Sequence, residues 1–126
     1  MSIAVGARAE IRHVVAEGDT ASALGSGDVP VLATPRILTW CEMAAIEAVH
    51  PLVPAGHTTV GMRVRLDHLQ PIAVGVEVVV EAILEKVEGR RLTFHVAVND
   101  RRGLVAAGRV TRVVVDTDRF MEKTHH

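Results

Sequence analysis

The stretch TPRILTWCEMAAIEAVH, residues 34–50, decides the fold, because it reads as one long amphipathic helix in a chain otherwise rich in strand-forming residues. Thr34 and Pro35 predict the helix start, with Thr34 as the N-cap and proline at the first helical position, where its missing N–H costs nothing. The pattern runs to about His50, where Pro51 stops it. At about 100° per residue the residues on one broad face are apolar and mostly small: Ile37, Leu38, Cys41, Ala44, Ala45, Ala48 and Val49.

The remaining helix residues divide between the far side and the border of this face. We expect Trp40 on the outward side, together with Arg36, Met43 and Glu47. Glu42 falls at the border of the apolar face. Because the buried residues are small, we expect the backbone of a sheet to pack closely over them.

Most of the other residues read as strands. A first strand is expected at residues 8–17, followed by a glycine-rich loop at 18–30 of a length typical of a lid or of a plain crossover. From Thr58 to His68 the period changes to two, which predicts a strand that buries Val60, Met62, Val64 and Leu66. Further strands at 74–87, 91–98 and 104–115, joined by short turns, predict an antiparallel meander.

This order of elements predicts an α+β fold in which a curved antiparallel sheet of about five strands wraps one long helix. The whole chain, residues 1–126, is expected to be one domain with a tail at 119–126. A single-layer sheet leaves edge strands exposed, and pairing two copies is one way to cover them. We therefore expect a homodimer, or a tetramer built from it.

Composition narrows the function. The chain is 48% hydrophobic and 23% charged, which is typical of a globular protein. Only 2% of residues are aromatic and the formal charge is −1, which disfavours binding to nucleic acid. The single cysteine excludes an internal disulfide, and no apolar run approaches the roughly 20 residues of a membrane span. We expect a soluble cytoplasmic protein. His125 and His126 are excluded from the candidate site, because the remnant of an expression tag and a native tail would both end in two histidines.

Three residues stand out as candidates for chemistry. Glu42 combines a carboxylate with apolar neighbours, Thr34 places a hydroxyl at a helix start whose free N–H groups suit an anion, and His68 ends a strand. Each also has a structural reading: an edge carboxylate, a helix cap and a turn histidine. Cys41 lies on the apolar face and reads as a packed thiol. The histidines show no metal-ligand spacing, so no metal is expected.

The order of elements resembles the hot-dog fold of acyl-CoA thioesterases and dehydratases, and the residues resemble its fluoroacetyl-CoA thioesterase-like subgroup. The resemblance covers roughly residues 31–120. The residues that carry it are the run Val31-Leu32-Ala33-Thr34, Glu42 eight positions on, Gly61 in the next strand and His68 seven positions later.

The resemblance implies hydrolysis of a small acyl-CoA thioester at a dimer interface, without a cofactor. It implies that Thr34, Glu42 and His68 are catalytic and that Gly61 lines the site through its backbone. The fluoroacetyl-specific members carry aromatic residues in the lid just before the helix, whereas residues 25–30 here contain none. The resemblance therefore implies thioester hydrolysis and does not extend to specificity for fluoroacetyl-CoA.

Several alternatives stay open at the level of sequence. The same fold also carries hydratases and dehydratases, and a non-catalytic acyl-CoA-binding dimer would share its outline. The phosphates of CoA could meet arginines at either of two turns. These are Arg90 and Arg91, which we favour, or Arg101 and Arg102.

Overall fold

In the computed structural model, which describes residues 2–125, one long helix lies against a five-stranded antiparallel sheet. The strands are β1 (Arg8–Val14), β2 (His57–His68), β3 (Glu77–Glu88), β4 (Arg91–Asp100) and β5 (Gly103–Asp116). The helices are α1 (Ala21–Leu24), α2 (Thr34–Val49) and α3 (Thr117–Glu122), with 3-10 turns at Glu17–Asp19 and His50–Leu52. The predicted α+β architecture is confirmed.

The strand order in the sheet is β1-β3-β4-β5-β2. The consecutive strands β3, β4 and β5 form the predicted meander, and β1 and β2 lie at the two edges. The long helix α2 packs chiefly against β3 and β1. The helix therefore lies toward the β1 side of the sheet and leaves more room over β5 and β2.

The hydrophobic core lies between α2 and one face of the sheet. The helix contributes small side chains, as its apolar face predicts, and the central strands contribute branched ones. Burying each branched side chain stabilises the fold by about 1.5–3 kcal/mol. The fully buried members include Ile37, Cys41, Ala44 and Ala45 from α2, and Val80, Leu84, Leu92, Phe94, Val96 and Val98 from β3 and β4.

Trp40 departs from the sequence prediction. Its side chain is only 5% exposed, and its ring stacks on that of His13 in β1 with centroids 4.3 Å apart and planes 6° apart. The prediction of an outward Trp40 was wrong, because the edge strand β1 continues the sheet around the side of the helix. The sheet thus buries a wider arc of α2 than the apolar residues mark.

The edge strand β2 also departs from simple alternation. A register shift in its pairing with β5 lies between Gly61 and Arg63, which makes Met62 an extra residue that is 43% exposed. Beyond the bulge Val64 packs against the core, whereas before it Gly61 faces the helix. The predicted burial of Val60 and Met62 on one face with Val64 was wrong, because a bulge moves the following side chains to the other face.

The ends of several elements differ from the sequence prediction. The first strand ends at Val14, and the predicted loop at 18–30 includes the end of one 3-10 turn and the short helix α1. Part of the expected tail, residues 119–122, lies in α3. His126 lies outside the described residues. Within residues 2–125, no helix has the length and apolar character needed to cross a membrane.

Gly108 provides a sharp test of how β5 packs against the edge strand. A Cβ atom added at position 108 would lie 1.9 Å from the backbone oxygen of Arg65. Because that neighbour is backbone, we expect Gly108→Ala to lower the free energy of unfolding by about 3 kcal/mol, the upper end for overpacking. Urea unfolding of the variant measures it.

Gly18→Ala is the matched control, since no atom lies within 4 Å of a Cβ at that position. Its stability should change by less than about 0.5 kcal/mol. A Gly108→Ala protein as stable as the control would contradict the register of β2 against β5.

Candidate active site

Thr34 and His68 form a direct pair. The hydroxyl Oγ1 of Thr34 lies 2.8 Å from Nδ1 of His68, so the first residue of α2 meets the last residue of β2. The N-cap position is occupied by Ala33, whose side chain makes no cap hydrogen bond. The prediction that Thr34 caps the helix was wrong by one residue. Its hydroxyl is thus engaged with the imidazole and not with the helix backbone.

The second nitrogen of His68 is the one that can act on a ligand. Nε2 is buried and makes no hydrogen bond to any residue between 2 and 125. The neighbouring Asp67 is exposed and makes no hydrogen bond to His68 within the described chain. The imidazole is therefore oriented by Thr34 through Nδ1, which leaves Nε2 to accept or donate a proton.

Glu42 is held by an arginine that the sequence prediction missed. Nη1 of Arg112 donates to Oε2 of Glu42 at 2.7 Å, a charge-assisted hydrogen bond between β5 and α2. Arg112 is only 6% exposed, and its other nitrogens donate to the hydroxyl and the carbonyl oxygen of Thr59 at 3.0 and 2.9 Å. The guanidinium therefore joins the helix, β5 and the edge strand at one point.

Burial and pairing act on Arg112 in opposite directions. Burial lowers the pKa of Arg112, and the carboxylate of Glu42 raises it again. An arginine stays protonated under all physiological conditions. Glu42 thus faces a permanent positive charge, where the sequence indicated only apolar neighbours.

Gly61 leaves the space in which the Glu42 carboxylate lies. A Cβ atom at position 61 would come within 2.7 Å of Oε2 of Glu42. Gly61 pairs with Arg112 across β2 and β5, so both residues meet the same carboxylate. The structure therefore brings Gly61 and Glu42 together.

Within one chain the candidate residues form two separate clusters, the Thr34–His68 pair and the Glu42–Arg112 pair. Thr34 and Glu42 are eight residues apart on one helix, which at 1.5 Å per residue places them about 12 Å apart along its axis. Gly61 and His68 are seven residues apart on one strand, on the order of 20 Å. A single reacting carbonyl cannot contact both clusters of one chain.

The other candidates are placed as follows. The thiol of Cys41 is fully buried, and burial raises its pKa to about 12, so it is not a nucleophile at neutral pH. Arg90 and Arg91 are exposed at the turn from β3 to β4, and Arg91 lines a depression on the sheet face opposite the helix. No group of three or more His, Cys, Asp or Glu placed to hold a metal occurs within residues 2–125.

Arg112 had a sequence signal that could have found it. Arg112 lies two residues after Val110 and two residues before Val114 on one strand, so its side chain points to the core side as theirs do. An arginine at an inward position needs a partner, and the only acid on the border of the apolar helix face is Glu42. The partners are 70 positions apart, which hides the pair from any local motif.

Comparison with known proteins identifies the family. Residues 15–118 match the family described as fluoroacetyl-CoA-specific thioesterase. The fluoroacetyl-CoA thioesterase of Streptantibioticus cattleyicolor is 30% identical over 93 residues, which cover 74% of this chain and 67% of that protein.

Solved structures agree with the sequence match. A fluoroacetyl-CoA thioesterase of known structure is 28% identical with a TM-score of 0.91, covering 98% of this chain and 96% of the other. A thioesterase superfamily member from Thermus thermophilus is 28% identical with a TM-score of 0.90, covering 97% and 90%. A hot-dog-like protein from Thermanaerovibrio acidaminovorans is 28% identical with a TM-score of 0.89, covering 95% and 89%.

The fold and these relatives define a thioester hydrolase of the hot-dog fold, which confirms the class expected from the resemblance. The chain belongs to the family of fluoroacetyl-CoA-specific thioesterases.

The buried guanidinium gives a prediction about stability. Arg112→Met keeps the bulk of the side chain but leaves the Glu42 carboxylate and the Thr59 carbonyl oxygen without their donor. We expect the free energy of unfolding to fall by about 2–4 kcal/mol, because unpaired buried polar groups are costly. Urea denaturation followed by far-UV circular dichroism gives the value.

The control removes a guanidinium group from an exposed position. Arg91→Met, at an exposed position of the neighbouring strand, should change stability by less than about 0.5 kcal/mol. Equal stability of the two variants would show that the Arg112 contacts contribute nothing to the fold.

Proposed function

We propose that this protein hydrolyses a small acyl-CoA thioester to the free acid and CoA, with Thr34, Glu42 and His68 as its catalytic residues. Membership in a thioesterase family supports the reaction. The observation that carries the residue assignment is the 2.8 Å contact from Thr34 to His68, since it orients an imidazole whose other nitrogen makes no hydrogen bond within residues 2–125.

The proposed reaction needs a nucleophile, a group that stabilises the oxyanion and a proton donor. An oxygen nucleophile adds to the thioester carbonyl, the carbonyl oxygen becomes an oxyanion, and the C–S bond then breaks. Nε2 of His68 takes a proton from the attacking water or gives one to the departing CoA thiolate. The hydroxyl of Thr34 fixes the imidazole and can also bind the substrate oxygen.

The proposed role of Glu42 is to attack the carbonyl carbon or to orient the water that does so. Arg112 occupies Oε2, which leaves Oε1 for this task. If the carboxylate attacks first, an acid anhydride forms and water must then hydrolyse it. Both routes consume one water and release one acid and one thiol, so they balance equally.

We infer that the working site is shared by two copies of the chain. The two clusters of one chain lie about 12 Å apart along the helix, so a second copy is needed to bring Glu42 to a Thr34–His68 pair. The 12-residue edge strand β2 offers an unpaired backbone for such an association. Exposed apolar side chains support it, namely Met43 and Ile46 on α2 and Met62 on β2.

The proposed contacts with the substrate come from strand β2 and from the turn between β3 and β4. Gly61 lines the site next to Glu42. We propose that Arg90 and Arg91, at the turn from β3 to β4, meet the phosphates of CoA. Because a thioester is already activated, the reaction needs no cofactor beyond the CoA of the substrate. A single buried thiol suits the reducing cytoplasm, where we place the protein.

The identity of the acyl group depends on the segment just before helix α2. Crystals of a mutant of the fluoroacetyl-CoA-specific relative hold fluoroacetate and CoA; that relative is 27% identical with a TM-score of 0.88, covering 94% of this chain and 99% of its own. Residues 25–30 lack the aromatic side chains that the resemblance leads one to expect there. We therefore propose a small acyl group without committing to fluoroacetyl, and turnover of a panel of acyl-CoAs of different length and polarity identifies it.

Single variants test the catalytic assignment. We expect Glu42→Gln and His68→Ala each to lower kcat/KM for hydrolysis by about 10²–10⁴, the usual effect of losing a general base or an electrostatic group. Release of free CoA, followed with a thiol reagent, measures the rate. The buried Cys41 should contribute little background to that assay.

Exposed residues of the same types are the controls. Glu47→Gln on α2 and His50→Ala at its end should retain the wild-type rate. If the Glu42 and His68 variants stay folded and hydrolyse acyl-CoA at the wild-type rate, the assignment is wrong. If wild-type protein modifies the acyl chain and releases no thiol, the hydratase or dehydratase reading replaces hydrolysis. Binding of acyl-CoA with neither reaction would favour the non-catalytic module.

Mixing two inactive variants tests whether the site is shared. We expect Thr34→Ala and Glu42→Gln proteins to be inactive alone and to regain activity when unfolded together and refolded. A mixed dimer rebuilds one intact site and keeps one doubly damaged site. With random pairing, about half of the dimers are mixed and each has one site, so roughly a quarter of wild-type activity returns.

The matched control mixes Thr34→Ala with His68→Ala, whose altered residues contact each other within one chain. This pair should regain no activity. Recovery in the control, or its absence in the first mixture, would contradict the shared arrangement. Sedimentation equilibrium checks that the wild-type protein and the variants form dimers.

A further inference from the structure

The sheet face opposite the helix carries a concentration of positive charge that the proposed catalytic step does not use. A depression of about 350 Å³ on this face is lined by four arginines and one lysine against two glutamates, a net charge of +3 in a chain of net charge −1. Its cationic members are Arg63, Arg65, Lys86, Arg91 and Arg109. We name this set the outer-face basic pocket.

Three of these cations have no partner in the part of the chain that the structure describes. Within residues 2–125 the two glutamates of the pocket pair with its other two cations, Glu85 with Arg109 at 3.0 Å and Glu88 with Lys86 at 3.4 Å. In the same part of the chain, Arg63, Arg65 and Arg91 take part in no ion pair or side-chain hydrogen bond. Their positive charge is thus left for a ligand.

The register of the sheet brings like charges together. Arg65 lies directly opposite Arg109 across β2 and β5, and Arg63 lies two residues along the same strand on the same face. Like charges at opposite positions of neighbouring strands destabilise a sheet. A bound anion would remove that repulsion.

The floor of the pocket supplies neutral donors. Thr93 and Thr111 are opposite each other on β4 and β5, and Thr111 is only 7% exposed. Hydroxyl donors beneath several planar guanidinium groups suit the oxygens of a phosphate, which arginine binds through two parallel hydrogen bonds. With no aromatic side chain among its lining residues, the pocket has nothing on which a base could stack.

A larger depression elsewhere on the molecule shows that charge, not size, distinguishes the outer-face basic pocket. It measures about 560 Å³ and lies near the turn from β4 to β5. Its lining holds two arginines and two acids, so its charges balance, and its Arg12 already pairs with Glu77 at 3.2 Å. Arg102, near that turn, pairs with Asp100 at 3.1 Å.

We propose that the outer-face basic pocket binds the phosphates of a nucleotide-type polyphosphate. Two sources share this chemistry: the phosphorylated ADP part of the acyl-CoA substrate, which rests on the proposed function, and a free nucleotide. The pocket lies on β2, the strand that also carries Gly61 beside Glu42, with Arg63 two residues further on. Because of the bulge between them, Gly61 faces the helix side whereas Arg63 faces the opposite side, so the pocket and the catalytic carboxylate lie on opposite faces of the sheet.

Calorimetric titration with inorganic pyrophosphate and with ADP tests the pocket without reference to catalysis. We expect wild type to bind both, and Arg63→Ala/Arg65→Ala to bind about 100-fold more weakly, near tenfold for each guanidinium removed from the phosphates. The control Arg8→Ala/Arg12→Ala removes equal charge from the same sheet face, where both arginines pair with glutamates, and should change binding less than twofold. No binding by wild type, or equal weakening in both double variants, would overturn the proposal.

Kinetics then separate the two sources. If the substrate's phosphates occupy the pocket, Arg63→Ala/Arg65→Ala raises KM for acyl-CoA, leaves kcat, and leaves KM for the truncated acyl-N-acetylcysteamine thioester unchanged. If a free nucleotide is the ligand, the double variant still binds pyrophosphate more weakly, while KM for acyl-CoA stays the same. Should the protein hydrolyse no thioester, the titration still reports on the pocket, so failure of the proposed function and failure of this proposal remain distinguishable.

Discussion

The buried guanidinium of Arg112 is the contact on which the arrangement of helix and sheet edge depends. Its three nitrogens donate to a carboxylate on α2 and to two oxygens of Thr59 on β2, so one side chain of β5 joins three elements. A buried cation without these acceptors would be strongly unfavourable, and Glu42 without this donor would lose its fixed position. The same contact that secures the edge strand therefore also orients the carboxylate that we assign to catalysis.

Local patterns predicted the framework of this fold because each element has a local signature. Helix α2 shows its small apolar face and its proline boundaries, and β3 to β5 show alternation and short turns. The burial of Trp40 could not be read this way, since it depends on where β1 lies, and the partner His13 is 27 positions away along the chain. The same holds for Arg112 and Glu42, whose contact exists only once the sheet has formed. The family resemblance supplied Thr34, Glu42, Gly61 and His68 as a set, whereas the structure supplied the contacts among them.

Helix α2 sets the spacing of the two candidate clusters, and this spacing constrains how the protein can work. A rigid helix holds Thr34 and Glu42 about two turns apart, too far for both to reach one carbonyl carbon. No rearrangement within one chain brings the two residues together without breaking the helix between them. Association of two copies solves this geometrically, because a neighbouring chain can present its own Glu42 to the Thr34–His68 pair. The shared site that we propose makes activity depend on dimer formation, so that dissociation alone would abolish it.

The bulge at Met62 allows the edge strand β2 to place functional side chains on both faces of the sheet. Without it, Gly61 and Arg63 would point the same way, because side chains two apart on a strand share a face. The extra residue reverses the alternation, so Thr59 and Gly61 meet Arg112 and Glu42 on the helix side while Arg63 and Arg65 reach the opposite side. A regular strand would place one of these arginines beside Arg112, where a second buried cation has no partner. The irregularity thus separates the charge that holds the carboxylate from the charge that we assign to a phosphorylated ligand.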